Sequence, residues 1–133
     1  MNIKIRDYKD SDFDEICSWW KEHGECPPLP GMMCEKATFV LELDDQPVMT
    51  LTILTTESLE ISYFEGYCVK PGISKSVSHE LGDRFFNFGY ALLKQLGFKR
   101  VVGFTNRHKL VERYQELGMD VYLKNMVSLG REL

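Results

Sequence analysis

A chain of 133 residues with 44% apolar, 12% aromatic and 27% charged side chains has the balance of one globular domain, which excludes a disordered or fibrous chain. A net charge of −4 speaks against general nucleic-acid binding, which needs a basic face to release counterions. No window approaches the roughly 18 apolar residues of a membrane span, and the opening Met-Asn-Ile-Lys-Ile-Arg lacks the apolar stretch of a signal peptide. A cytoplasmic protein without membrane or nucleic-acid partners is expected, with Cys17, Cys26, Cys34 and Cys68 as reduced thiols.

In chain order, residues 2–6 alternate polar and apolar as a short strand. Asp10 and Ser11 then offer N-cap oxygens, and Phe13, Ile16, Cys17 and Trp20 recur at helical spacing, so a helix runs to about His23. Pro27, Pro28 and Pro30 make residues 24–31 an exposed loop. Three β-rich runs follow as an antiparallel meander: 37–43, 47–55 after an Asp44-Asp45-Gln46 turn, and 59–69. From Val77 the period changes. Val77, Leu81, Phe85, Phe88, Leu92 and Leu96 form one apolar stripe on a helix of about five turns, ended by Gly97. Gly82 and Gly89 beside that stripe predict a helix backbone lying close against a sheet, since each costs about 1 kcal/mol relative to Ala. Residues 99–105 read as a strand, 109–117 as a short helix and 119–129 as a last β segment able to pair or exchange across a homodimer; a monomer is equally open. The fold class is α/β (α+β), one domain over 1–133, with a mixed, mostly antiparallel sheet. Its central feature is a βαβ crossover from strand 59–69 through the long helix to strand 99–105. Such a crossover brings a helix N-terminus to the carboxyl end of a strand, where phosphates bind.

Charge divides by halves. Residues 1–60 carry 5 Lys/Arg against 13 Asp/Glu, and residues 61–133 carry 11 against 7, six of these bases lying between Lys94 and Arg113. One half suits cations and the other phosphates, against the plainer reading of a solvated surface.

The order of elements, Val69-Lys70-Pro71 before a long helix, and Tyr114-Gln-Glu-Leu-Gly118-Met119 together resemble the GNAT superfamily of N-acetyltransferases over nearly the whole chain. The proline loop after Trp19-Trp20, the Val-x-Pro-Gly turn and Thr105-Asn106 look most like small bacteriophage-encoded members, which would place the protein in a host cytoplasm. The resemblance implies acetyl-CoA as co-substrate, no metal, and a primary amine, small molecule or protein, as acceptor by direct attack. Members carry Arg/Gln-x-x-Gly-x-Gly/Ala at the helix start, whose glycines let backbone N–H groups reach the CoA pyrophosphate. That signature is missing here. Two registers remain open, Ser74-Lys75-Ser76-Val77-Ser78-His79 or Ile73 through Ser78, with serines near the glycine positions and Lys75 supplying charge. Serines that merely cap the helix are the competing reading.

By the same resemblance, Tyr114 is the general acid that protonates the departing thiolate, with a packed core tyrosine as the alternative. Members place an Asn seven residues before that Tyr; here Arg107 stands there and Asn106 one earlier, both on the cofactor side. The backbone N–H of Cys68 or Val69 is the implied oxyanion donor. Glu65 is the candidate general base, on the parity of Val69 together with Tyr63, while Glu60 has the opposite parity and reads as solvent-facing; a bulge would reverse this. Cys17, His23, Cys26 and Cys34 lack the Cys-x-x-Cys spacing of a zinc site, and Cys68 reads as a core thiol. Trp19, Trp20, Phe39 and Tyr63 are candidates to wall a substrate cleft or fill the core. The reading from another class is a GNAT-fold protein that has lost CoA and acts by protein interaction, which the missing glycines favour.

Overall fold

The computed structural model of the chain describes residues 1–105 and 107–122. Among these, β1 (Ile3–Asp7), β2 (Thr38–Leu43), β3 (Gln46–Thr55), β4 (Ser62–Val69) and β5 (Val101–Gly103) form one sheet in the order β1-β2-β3-β4-β5. All neighbours are antiparallel except β4 and β5, which are parallel and joined by α2 (Lys75–Gln95). The other helices are α1 (Phe13–Glu22), entered through a 3-10 turn at Asp10–Asp12, and α3 (His108–Glu116). No described helix is long and apolar enough to cross a membrane.

Local chemistry explains most of these elements. Asp44 (φ 50) and Asp45 (φ 62) form the two-residue turn between β2 and β3, both left-handed as a primed hairpin turn requires. The start of α1 is fixed by Asp12 rather than by Asp10 or Ser11: its Oδ2 accepts the Lys9 N–H at 2.9 Å, and Arg6 binds both of its oxygens. At α2, Ser74 is the N-cap and its Oγ accepts the Val77 N–H. Its far end closes on Gly97, with Phe98 N–H donating to Leu93 O at 3.0 Å.

The sheet is covered on both faces. Leu81, Phe85, Phe86 and Leu93 of α2 pack with Met49, Leu51, Ile53 and Phe64, and Tyr114 of α3 joins the same cluster. Across the sheet, Ile16 and Trp19 of α1 pack with Tyr8, Met33, Val40 and Cys68. The predicted close approach of α2 occurs at Gly89, where a Cβ would lie 2.8 Å from Phe64 Cζ. Gly82 instead faces the Tyr67 hydroxyl and the Arg113 guanidinium.

Three expectations need correction. The strand predicted over 99–105 pairs only at Val101–Gly103, because Phe104 and Thr105 have left β4. Of the β segment expected over 119–129, Met119–Tyr122 form no strand, and the rest lies outside the described residues, as does Asn106. The parity given to Glu65 is reversed. Thr50 pairs with Cys68 and Thr52 with Glu65, so Leu51 of β3 faces two residues of β4, Gly66 and Tyr67. Gly66 takes φ +60 in this bulge, a conformation open to glycine at little cost. Phe64 and Tyr67, three apart, therefore both meet Phe86 of α2, at 5.4 and 4.9 Å between ring centroids. Glu65 consequently shares the α1 face with Cys68, and Val69 packs on the α2 side.

Candidate active site

β4 and β5 are paired only from Ser62–Phe64 to Val101–Gly103, and beyond that they part. The gap becomes a wedge with Tyr67, Cys68 and Val69 on one wall and Arg107, Lys109 and Leu110 at the start of α3 on the other; His23 completes a cavity of about 190 Å³. A larger cavity of about 310 Å³ opens at the other end of the sheet, among Phe39, Ile53, Leu92 and Leu96, but Lys36 is its single ionisable lining group. Chemistry concentrates in the wedge.

The bulge decides which backbone groups face that wedge. Lys70 N–H donates to Val48 O of β3 at 2.8 Å, while Val69 O, one residue earlier, accepts from His23 Nε2 at 2.7 Å. A strand residue's N–H and C=O point the same way, so the Val69 N–H is also turned from β3 into the wedge, and the Cys68 N–H faces β3. Of the two amides singled out in the sequence, Val69 is therefore the one available to a ligand.

Below the wedge the chain turns through Lys70–Ile73 into α2. Ser74 is spent on the cap, and the Ser78 hydroxyl donates to Lys75 O at 3.0 Å. The Ser78 N–H is bonded to Ser74 O at 2.9 Å, which leaves the Lys75 and Ser76 amides as the first-turn donors without an intrahelical partner. Capping is thus part of the serines' role, and the groups not used in it at this end of α2 are these two amides and the Lys75 side chain. His79 is tied to α3 through its carbonyl, which accepts from Arg113 Nη2 at 2.7 Å. Arg113 also binds Asp83 at 2.8 Å, fixing α3 to α2.

Tyr114 lies in the α2-side core, its ring edge-on to Phe86 at 5.3 Å and against Gly103, and it does not line the wedge. No described residue bonds its hydroxyl. Burial, reinforced by Tyr67 and Glu65, holds the phenol well above its ordinary pKa, so it stays protonated. Tyr67, which does line the wedge, is pushed up to about 12 by burial. The Cys68 thiol is likewise pushed up to about 12 by burial, against the opposing pull of Arg107, and such a protonated thiol is no nucleophile. Glu65 is raised by burial and lies outside the wedge lining.

Arg107, the residue before α3, meets Glu25 at 3.3 Å across the mouth of the wedge. Both are substantially exposed, so the pair contributes little to stability. The four aromatic residues suggested as cleft walls do not share a cleft: Trp19 is core on the α1 face, Phe39 packs on Phe88 across the sheet, and Tyr63 stacks on Phe104. Trp20 lies against the α1-side cluster with its indole N–H buried and without a partner among the described residues. Among the described residues, no three His, Cys, Asp or Glu side chains are placed to hold a metal ion.

Sequence reasoning missed Tyr67, His23 and Glu25, and held Lys109 only as one of a cluster of bases. Tyr67 was detectable only through the bulge, and a Gly amid β-branched and aromatic residues is the signal for one. Nothing in the sequence around His23 tells that α1 ends against β4.

No protein-family model matches the sequence, and no curated protein matches it. Solved structures do. An acetyltransferase of Trypanosoma brucei superposes with a TM-score of 0.68 at 19% identity, covering 96% of this chain and 100% of that one. N-acetylglutamate synthase from Neisseria gonorrhoeae, in complex with coenzyme A and N-acetyl-glutamate, gives 0.66 at 14% identity over 86% of this chain; the match spans 28% of that longer protein. A transcriptional regulator from Bacillus halodurans gives 0.73 at 13% identity over 97% and 100%. By superposition over nearly the whole chain, the protein has the fold of the GNAT acetyltransferases, the superfamily its sequence resembles.

Proposed function

We propose that the protein transfers an acetyl group from acetyl-CoA to a primary amine by direct attack. The observation that carries this reading is the Val69 N–H turned into a wedge whose β4 wall leads straight to the Lys75 and Ser76 amides of α2. An acyl carbonyl bonded to Val69 N–H would have its developing oxyanion stabilised by a fixed donor. The pyrophosphate would lie on the first turn of α2 beside Lys75, where free amides and the helix dipole favour anions. Arg107 and Lys109 line the opposite wall. They supply cationic contacts near the cofactor, while Glu22 and Glu25 at the end of α1 favour a cationic acceptor. The N-acetylglutamate synthase neighbour, solved in complex with coenzyme A, supports a CoA thioester as co-substrate. Cys68, kept as a thiol, favours direct attack over an acyl-cysteine intermediate.

Calorimetric titration tests the reading. Acetyl-CoA is expected to bind, dephospho-CoA to bind more weakly, and Ser76→Glu to weaken acetyl-CoA binding about tenfold or more by placing a carboxylate against phosphate. Absence of binding up to millimolar ligand would sink it in favour of a GNAT-fold interaction protein. The Ser74–His79 window without glycines favours that second reading.

Tyr114 is proposed as the donor to the departing thiolate. Tyr114→Phe should then lower kcat about tenfold to hundredfold at unchanged acetyl-CoA affinity, at the low end for a general acid because a thiolate leaves readily. If Tyr67→Phe shows that loss and Tyr114→Phe does not, the acid is the phenol that lines the wedge.

A further inference from the structure

The acetyl-transfer reading leaves open which group takes the proton from the amine. Among the residues lining the wedge, the ionisable ones are His23, Tyr67, Cys68, Arg107 and Lys109. Arg107 and Lys109 are cations, and burial keeps Tyr67 and Cys68 protonated. Of the charged groups nearby, Glu25 is held by Arg107, Lys70 by Glu15, and Lys21 and Glu22 stand on the exposed side of α1. Glu65 is on β4 but outside the lining.

Resting on that reading, we propose that His23 is the general base, accepting the proton of the attacking amine on Nδ1 from a ring docked by Nε2 on the carbonyl of Val69. A carbonyl oxygen can only accept, so the 2.7 Å contact requires that Nε2 carry the hydrogen, and in the neutral ring Nδ1 then bears the lone pair. Position supports the role. Val69 presents its N–H on the same side as the carbonyl that holds the ring, so an acyl oxygen on that N–H brings the reacting carbon next to the imidazole. The ring reaches this place because His23 is the C-cap of α1, its own N–H bonded to Trp19 O, and Trp19 is buried against the α1 face of the sheet.

The step balances without a further reactant. An ammonium acceptor gives one proton to Nδ1, and the amine nitrogen bonds to the thioester carbonyl carbon. The carbon–sulfur bond then breaks, the thiolate takes the phenolic proton of Tyr114, and one of the two protons left on nitrogen restores the phenol. The products are the amide, CoA thiol and an imidazolium that returns its proton to water. A base that takes a proton in the rate-limiting step gives kcat an acid limb, and a variant without that base loses the limb.

The test measures thiol release from acetyl-CoA with putrescine and with lysinamide between pH 6 and 9, for wild type, His23→Gln, His23→Ala and Glu65→Gln, alongside calorimetric binding of acetyl-CoA. Glutamine can still donate to Val69 O but cannot act as a base. His23→Gln is expected to lose about hundredfold in kcat and the acid limb of the pH profile, with acetyl-CoA affinity within twofold of wild type. Added imidazole is expected to restore part of the rate of His23→Ala. Three results overturn the assignment while acetyl transfer stands: an intact acid limb in His23→Gln, its loss in Glu65→Gln instead, or an effect confined to the KM for acetyl-CoA, which would make the ring a clasp. A wild-type protein that binds acetyl-CoA but releases no thiol with either amine overturns both.

Discussion

Gly89→Ala is expected to destabilise the protein by about 1–2 kcal/mol, and Gly89→Val by about 3 kcal/mol, although both residues are better helix formers than glycine. Two effects compete. Alanine in a helix interior gains about 1 kcal/mol over glycine. Against this, a Cβ at position 89 would stand 2.8 Å from Phe64 Cζ and 3.1 Å from Cε1, inside contact distance. Phe64 has nowhere to go: it is 1% exposed and its ring is held by Phe86 at 5.4 Å and Tyr90 at 5.5 Å. Overpacking of this kind costs about 1–3 kcal/mol and sometimes more, so the clash wins. The consequence extends to the site, because Phe64 is where β4 pairs with Gly103 for the last time before the wedge opens. Urea unfolding followed by tryptophan fluorescence reads the outcome; an unchanged or higher midpoint in Gly89→Ala would show that α2 does not lie this close to the sheet.

The same contact shows what was legible in the sequence and what was not. Two glycines beside an apolar stripe are a local pattern whose cost only a close neighbour can offset, so the approach of α2 could be read directly, though not that Gly82 meets Tyr67 and Arg113 while Gly89 meets the sheet. The C-terminal ends of α1 and α2 and the Asp44-Asp45 hairpin are equally readable, because capping and turn chemistry act over a few residues, whereas the start of α1 depends on the Arg6 that grips Asp12. Pairing partners are not local. Phe104 and Thr105 have strand character, yet nothing in their own side chains tells that β4 has already diverged. β4 signals its bulge only through Gly66, and the one extra residue there moves Glu65 to the other face and brings Tyr67 beside Phe86. Site residues followed the same division. Val69 and the start of α2 lie next to each other in sequence, so their proximity is legible there, whereas His23 meets Val69 from 46 residues away.

Asp12→Ala is expected to cost about 2–3 kcal/mol near neutral pH and to remove much of the acid sensitivity of the fold. The Asp12 carboxylate is gripped by Arg6 at 2.8 Å through each oxygen and accepts the Lys9 N–H at 2.9 Å. Arg6 is bound in turn to Glu42 at 2.5 Å, and all three side chains are largely buried between β1, β2 and the start of α1. Deleting one partner of a buried pair costs about 3–5 kcal/mol when the other charge is stranded; here Glu42 still pairs with Arg6, which places the loss lower. The hydrogen bonds from Arg6, ahead of the opposing effect of burial, hold the Asp12 carboxyl below the ordinary carboxylate range. With the folded value below the unfolded one, roughly 3.9 for a free Asp, its stabilisation is complete above that pH and is lost as pH falls toward the folded value. Arg6 is shifted further up and stays charged throughout, so it adds no slope of its own. Urea unfolding from pH 2.5 to 7 should therefore show wild type losing stability steeply below about pH 4, with Asp12→Ala less stable at pH 7 and flatter in acid. Parallel curves would place the acid-sensitive carboxylate elsewhere. Since Asp12 anchors the first turn of the helix whose last turn docks His23 on Val69, the variant should also lower acetyl transfer more than acetyl-CoA binding, linking the β1–α1 ion pair to the chemistry at the far end of that helix.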